Sequence, residues 1–232
     1  MSTWIVTGAS RGLGRELALQ LAARGDEVIA IARDSEALRA LGETEHGRIE
    51  ALAVDLSDPI NVGTRCRDAL RDVGELGGVI NNAGIGWYKP FLEHDEDELR
   101  RLLQVNLLAP MQLCHAVLPK LLAQGHGHIV NIGSDLGRRP LANMAPYVAS
   151  KHGLAGFSHS LLREVKARGV RVSLVQPGLI DTGFGGGEEG SGDGVGSLAA
   201  ATLARLVLQL IDAPPGLVID ELTVHPLGQS EF

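Results

Sequence analysis

Short apolar runs alternate with longer amphipathic ones along most of this chain. Residues 4–7, 28–32, 50–54, 78–81, 128–132, 170–175 and 217–224 are short, apolar and bounded by turn residues, which predicts buried strands. Between them the apolar positions recur with helical period. Residues 12–24 predict a helix stopped by Gly25, and 35–41 a short one. Asp58-Pro59 signals the start of a helix over 61–73. Asp95 and Glu98 have capping-box spacing and open a long helix towards residue 122. Residues 146–168 and 197–212 are two more long helices.

Strand and helix in alternation predict a three-layer, doubly wound α/β fold of the Rossmann type, with a mainly parallel seven-stranded sheet. The expected organisation is a single dinucleotide-binding catalytic domain over residues 1–232. In such sheets a ligand sits beyond the carboxyl ends of the strands. Gly8, Asp55, Ser134 and Pro177 follow predicted strands, and Asn81 ends one.

Between the first strand and first helix lies Thr7-Gly8-Ala9-Ser10-Arg11-Gly12-Leu13-Gly14. Its glycines are spaced G-x-x-x-G-x-G. A turn without side chains lets backbone N–H groups and a helix N-terminus face a diphosphate. An NAD site usually has an acid at the end of the second strand to bind the ribose hydroxyls. Here that place holds Ala32, followed by Arg33, and Arg11 lies in the glycine loop. Two guanidiniums suit a 2′-phosphate, which predicts NADP(H). Asp34 stands next to them and opposes that reading.

Pro146-Tyr147-Val148-Ala149-Ser150-Lys151 opens the long helix of 146–168. Proline suits a first helical turn, and Tyr147 and Lys151 fall one turn apart on one face. A free phenol has a pKa of about 10. The ammonium and the positive end of the helix dipole are expected to lower it and make Tyr147 an acid/base near neutral pH.

The glycine pattern, Asn81-Asn82-Ala83-Gly84, Ser134, Tyr147-x-x-x-Lys151 and Pro177-Gly178 occur here in one order. The set resembles the short-chain dehydrogenase/reductase family in its short single-domain form, over essentially the whole chain. The resemblance implies Tyr147 as acid/base, Lys151 as its partner and nicotinamide-ribose ligand, Ser134 as holder of the substrate oxygen, and Asn106 as a fourth catalytic residue. It implies a cofactor lined by Gly8, Ser10, Arg11, Gly12, Leu13, Gly14, Arg33, Asp55, Leu56, Asn82, Ala83, Gly84, Pro177, Gly178 and Thr182, with Tyr147 and Lys151. Asp55 reads equally well as a turn carboxylate. Pairing of the long helices between subunits in that family implies a homodimer or homotetramer.

Asn106 has a further, physical signal. Pro110, four residues on, supplies no N–H to the Asn106 carbonyl and crowds it. This predicts a kink and a carbonyl that could hold a water relaying protons to Lys151.

Composition changes this picture little. Net charge is −7 with no basic block, which disfavours nucleic acid or an anionic membrane as partner. No apolar run reaches membrane length, and the chain enters a strand almost at once, so a cytoplasmic protein without signal peptide is expected. Cys66 and Cys114 read as reduced thiols, and the eight histidines show no metal-ligand spacing. Residues 183–196 are rich in glycine and acid, either an exposed loop or a lid that orders on a ligand. Trp87, Tyr88 and Phe91 either line the pocket mouth or pack beneath the next helix. Together these features point to an NADPH-dependent carbonyl reductase of small or medium carbonyl and alcohol compounds, the alternatives being an NAD-dependent alcohol dehydrogenase or a non-catalytic NADP(H)-binding sensor on the same fold.

Overall fold

The computed structural model describes residues 1–44, 48–184, 196–214 and 216–229. Its elements in chain order are β1 (Thr3–Thr7), α1 (Gly12–Ala23), β2 (Glu27–Ala32), α2 (Ser35–Thr44), β3 (Ile49–Ala53), α3 (Asn61–Ala69), β4 (Leu76–Asn81), α4 (Glu96–Leu103), α5 (Ala109–Gln124), β5 (Gly127–Ile132), α6 (Ala145–Val165), β6 (Val170–Pro177), β7 (Ile180–Asp181), β8 (Leu198–Ala199), α7 (Ala200–Ile211) and β9 (Glu221–Val224).

Seven strands form one sheet in the order β3-β2-β1-β4-β5-β6-β9, and every neighbouring pair is parallel. Strand order reverses between β1 and β4, so a crevice opens there at the carboxyl ends. β1 is buried along its whole length, which is why it reads as an unbroken apolar run. Alternate residues of β1 enter opposite cores. Trp4 and Val6 pack with Leu17 and Leu21 of α1, Leu38 of α2 and Leu203 of α7. Ile5 packs with Cys66 of α3, Leu113 and Leu121 of α5, and Leu161 of α6. Helices therefore cover both faces, as the alternation predicts.

The helix expected over 95–122 is corrected in one respect. Asp95 caps α4 with a complete capping box, and Gly125 ends α5 in the left-handed region. Between α4 and α5, however, Gln104–Leu108 forms a π turn in which the Ala109 N–H bonds to the Gln104 carbonyl. Pro110 explains it: without an N–H and with a bulky ring, it fits a widened turn better than a regular one. The continuous run Glu96–Gln124 is long and apolar enough to cross a membrane by length and composition alone, which the sequence reading did not foresee. Just over half of its most apolar window (56%) is buried against the protein's own core.

Further differences are local: α3 ends at Ala69 rather than 73, and α7 begins at Ala200 rather than 197. The last strand occupies only Glu221–Val224 rather than 217–224. A short parallel pair, β7 with β8, joins the two ends of the glycine- and acid-rich segment. The interior of that segment, residues 185–195, on which the lid reading falls, lies outside the described residues.

Candidate active site

The glycine turn is shaped by three close approaches. Gly8 and Gly12 have φ of 68° and 53°, values that side chains disfavour. A Cβ on Gly14 would stand 2.2 Å from the Gly8 carbonyl oxygen and 2.5 Å from the Asn82 Nδ2. That Nδ2 donates to the Thr7 carbonyl at 2.9 Å, and Thr7 Oγ1 accepts the N–H groups of Asn82 and Ala83, each at 3.0 Å. Asn82 thus ties the end of β4 to the end of β1 at the strand-order reversal. Gly14 lies beneath the loop, against this tie. The N-cap residue of α1, Arg11, makes no side-chain cap and the first turn carries no acid. Among the described residues no side-chain acceptor serves the first-turn N–H groups of α1, which fits an anionic ligand.

A cleft of about 860 Å³ runs over the carboxyl ends of the strands from this turn to Tyr147. The predicted residues Gly8, Ser10, Arg11, Gly12, Leu13, Arg33, Asp55, Leu56, Asn82, Ala83, Gly84, Ser134, Tyr147, Lys151, Pro177, Gly178 and Thr182 all line it. Gly14 and Asn106 stand behind its wall.

At one end the cleft is basic. Arg11 and Arg33 are joined by Arg101 of α4, which the sequence reading missed because it is distant in the chain. Asp34 does not face them: its Oδ1 accepts the N–H groups of Glu36 and Ala37 at 3.1 and 3.0 Å and caps α2. Asp55 is a turn carboxylate as well as a wall residue, accepting from the N–H and Oγ of Ser57 at 2.9 and 2.8 Å. Burial pushes its carboxyl up, but the Ser57 bonds and the guanidiniums of Arg33 and Arg101 outweigh burial and hold it below its ordinary value.

At the other end sit the three reactive side chains. Ser134, just after β5, donates from Oγ to Asp135 Oδ1 at 3.2 Å and accepts the Leu136 N–H at 3.2 Å. Tyr147 lies in the first turn of α6, with the Ser134 hydroxyl near its phenol. Lys151 Nζ donates to the Ile132 carbonyl at 2.9 Å and lies 5.6 Å from the centre of the Tyr147 ring.

The expected lowering of the Tyr147 pKa is overturned. Burial pushes the phenol up to about 12, and the negative charge of Asp135 adds to that. The Ser134 hydroxyl acts the other way and is outweighed. Burial also pushes Lys151 down, to about 8. Loss of water around a buried ion outweighs the dipole and the neighbouring ammonium.

Asn106, in the π turn, is 1% exposed and clamps the chain after β4. Its Oδ1 accepts the Ile85 N–H and its Nδ2 donates to the Ile85 carbonyl, both at 2.8 Å. The same Nδ2 reaches Ser150 Oγ at 3.1 Å, and Ser150 Oγ donates to the Tyr147 carbonyl at 2.7 Å. One amide therefore joins three segments of the site.

Ile85, Leu141, Met144 and Phe184 make the wall near Tyr147 apolar, and the Phe184 ring lies 5.7 Å from the Tyr147 ring. Of the three aromatics after β4, Tyr88 lines the cleft and is exposed. Trp87 packs inward beside Met144 and Leu102, and Phe91 lies against His94. Cys66 and Cys114 are buried free thiols, each pushed up to about 12 by burial.

Residues 2–189 match the family described as short chain dehydrogenase. This chain belongs to that family. It is 36% identical to 3-oxoacyl-[acyl-carrier-protein] reductase FabG of Escherichia coli over 77% of this chain and 73% of that protein. It is 37% identical to carbonyl reductase family member 4 of Xenopus tropicalis over 76% of this chain and 75% of that protein. A metagenomic short-chain oxidoreductase solved in complex with NADP superposes with a TM-score of 0.85 at 35% identity, over 97% of both chains. The protein is accordingly an oxidoreductase of CH–OH and C=O groups.

Proposed function

We propose that this short-chain dehydrogenase uses NADPH to reduce a small or medium carbonyl compound. The observation that carries the reading is that one cleft holds the Ser134–Tyr147 pair at one end and the glycine turn at the other. The glycine turn and the first turn of α1 would take the diphosphate. Arg11 and Arg33, with Arg101 nearby and Asp34 turned to its helix, favour a 2′-phosphate over free ribose hydroxyls. The dinucleotide, when bound, supplies hydride to the carbonyl carbon.

Tyr147 bears its proton at neutral pH and gives it to the substrate oxygen as charge develops there. Ser134 donates a second hydrogen bond to that oxygen. Lys151, a cation at neutral pH, supports the phenolate left behind. A water at the Asn106 carbonyl, which Pro110 leaves without an N–H, would link Lys151 to solvent and restore the proton.

The apolar wall of Ile85, Leu141, Met144 and Phe184 suits a carbon skeleton rather than a charged substrate. A net charge of −7 opposes an acidic carrier protein as the vehicle of that substrate, although one relative is named for such a carrier. The proposed assembly is a homodimer or homotetramer, supported by Leu103 and Leu108, which stay 44% and 43% exposed along the α4–α5 run.

Oxidation of NADPH and NADH against diketones, quinones, aldehydes and acyl thioesters tests the reading. The expected result is turnover of a ketone or aldehyde with NADPH preferred. Tyr147→Phe should keep NADPH binding and lose about 100-fold or more in kcat. Tight cofactor binding with no turnover across the panel, or equal use of NADH, would overturn it.

A further inference from the structure

Gly86, in the segment after β4, is buried and lines the cleft, and the reaction described above gives it no part. Its backbone does not call for glycine, because its φ is not positive. What excludes a side chain is space. A Cβ at this position would stand 2.9 Å from Cδ2 and 3.4 Å from Cε2 of the Tyr147 ring, and 3.2 Å from Cζ of Phe184. Carbon atoms in ordinary contact keep about 3.5–4.0 Å apart. A methyl group here therefore forces the segment, the Tyr147 ring or Phe184 to move.

The segment is held on both sides. Asn106 engages the N–H and the carbonyl of Ile85, both at 2.8 Å. That carbonyl belongs to the peptide plane that leads into Gly86, so fixing it also fixes the Gly86 nitrogen and Cα. Beyond Gly86, Trp87 packs beside Leu102 and Met144, and the Lys89 N–H donates to the Asn143 carbonyl at 3.0 Å. Phe184 is the loosest neighbour, since it is exposed and meets the position with the tip of its ring. Tyr147 is buried and packs with Leu102, Leu136 and Met144, which leaves its ring little room to retreat.

We propose that Gly86 is a positioning residue: its bare Cα is the seat that sets where the Tyr147 ring lies, and Asn106, through Ile85, holds that seat in place. Gly86 acts through the position of the phenol and not through a polar group of its own. Proton transfer needs the phenol oxygen within hydrogen-bond reach of the substrate oxygen, and a misplacement of about 1 Å can cost about 100-fold in rate. A side chain at position 86 would meet the ring before the ring reaches its present place. This deepens the reading of Tyr147 as proton donor and rests on that reading for its effect on rate. The position of the ring does not depend on it.

Gly86→Ala tests this, because it adds one methyl group and no charge. In carbonyl reduction, kcat should fall about 10- to 100-fold, while the dissociation constant of NADPH changes by no more than about twofold. Phe184→Ala separates the two contacts: a seat for Tyr147 keeps the same loss in that background, whereas a methyl acting on Phe184 alone would cost nothing there. Tyr88 and Tyr147 are the only tyrosines in the sequence. In a Tyr88→Phe protein carrying ring-labelled tyrosine, carbon-13 NMR therefore reads Tyr147 alone, without substrate or cofactor, and Gly86→Ala should shift its ring signals. If circular dichroism shows that Gly86→Ala does not fold, the Tyr88→Phe protein itself serves. Nuclear Overhauser contacts between the Gly86 α-protons and the Tyr147 ring are then expected, and their absence overturns the seat. Unmoved ring signals, an unchanged kcat, or a loss that Phe184→Ala abolishes would overturn it as well. Shifted ring signals in a protein whose wild type reduces no carbonyl would keep the seat and remove the function proposed above.

Discussion

Lys151 holds its nitrogen 5.6 Å from the centre of the Tyr147 ring, and burial moves the two groups towards their neutral forms from opposite sides. The phenol keeps its proton more tightly and the ammonium releases its own more readily. At pH 7 the resting pair is still a phenol and an ammonium, the pair that proton donation requires.

That arrangement opposes folding. Lys151 titrates near 8 in the fold against 10.5 as an ordinary lysine. Below about pH 8 it is charged in both states, so burial costs the folded state in full, roughly 3 kcal/mol. Between pH 8 and 10.5 the unfolded chain binds more protons than the fold, so stability rises with pH and the penalty fades. Lys151→Met should therefore raise the stability of the cofactor-free protein at pH 7 by about 2 kcal/mol, after loss of the Ile132 hydrogen bond. The gain should shrink by pH 10. Urea unfolding at the two pH values checks this, and a variant less stable than wild type at pH 7 would contradict it.

Arg33 carries the second prediction. A charge-assisted bond to a phosphate is worth about 1.5–3 kcal/mol. Arg33→Ala should cut the NADPH-over-NADH ratio of kcat/KM about tenfold or more, chiefly through KM for NADPH. Arg101 shares the same end of the cleft, so the double variant should lose more than the single. A ratio unmoved by Arg33→Ala would exclude it as the phosphate ligand.

Asn106 gives the third. Asn106→Asp keeps the acceptor for the Ile85 N–H and removes both donated bonds, while placing a carboxyl where 1% of the residue is exposed. The expected loss is about 3 kcal/mol in chemical unfolding. A change near zero would mean that the Ile85 carbonyl finds another donor.

Much of this was legible in the chain because it depends on backbone chemistry at single positions. Gly8 and Gly12 sit at positive φ, Asp95 closes a capping box with Glu98, and Pro110 cannot support a regular turn. The parallel sheet follows from strand and helix alternating. What escaped depends on residues that meet only after folding. The proton affinity of Tyr147 follows from its burial, which local spacing does not encode. Arg101 reaches the Asp55 end from another helix. Gly178 reads as a cofactor neighbour, yet its lack of a side chain also makes room for Gln229, some fifty positions later.

The tie between Asn82 and Thr7 spans 75 positions of the chain. A nascent polypeptide possesses its glycine turn long before the residue that braces it has been made. Dinucleotide affinity is thus a property that appears late in synthesis, once β4 has docked beside β1. A cofactor that recognises only the finished turn then stabilises the native state by mass action, so its cellular concentration becomes one of the determinants of how much of this enzyme stays folded.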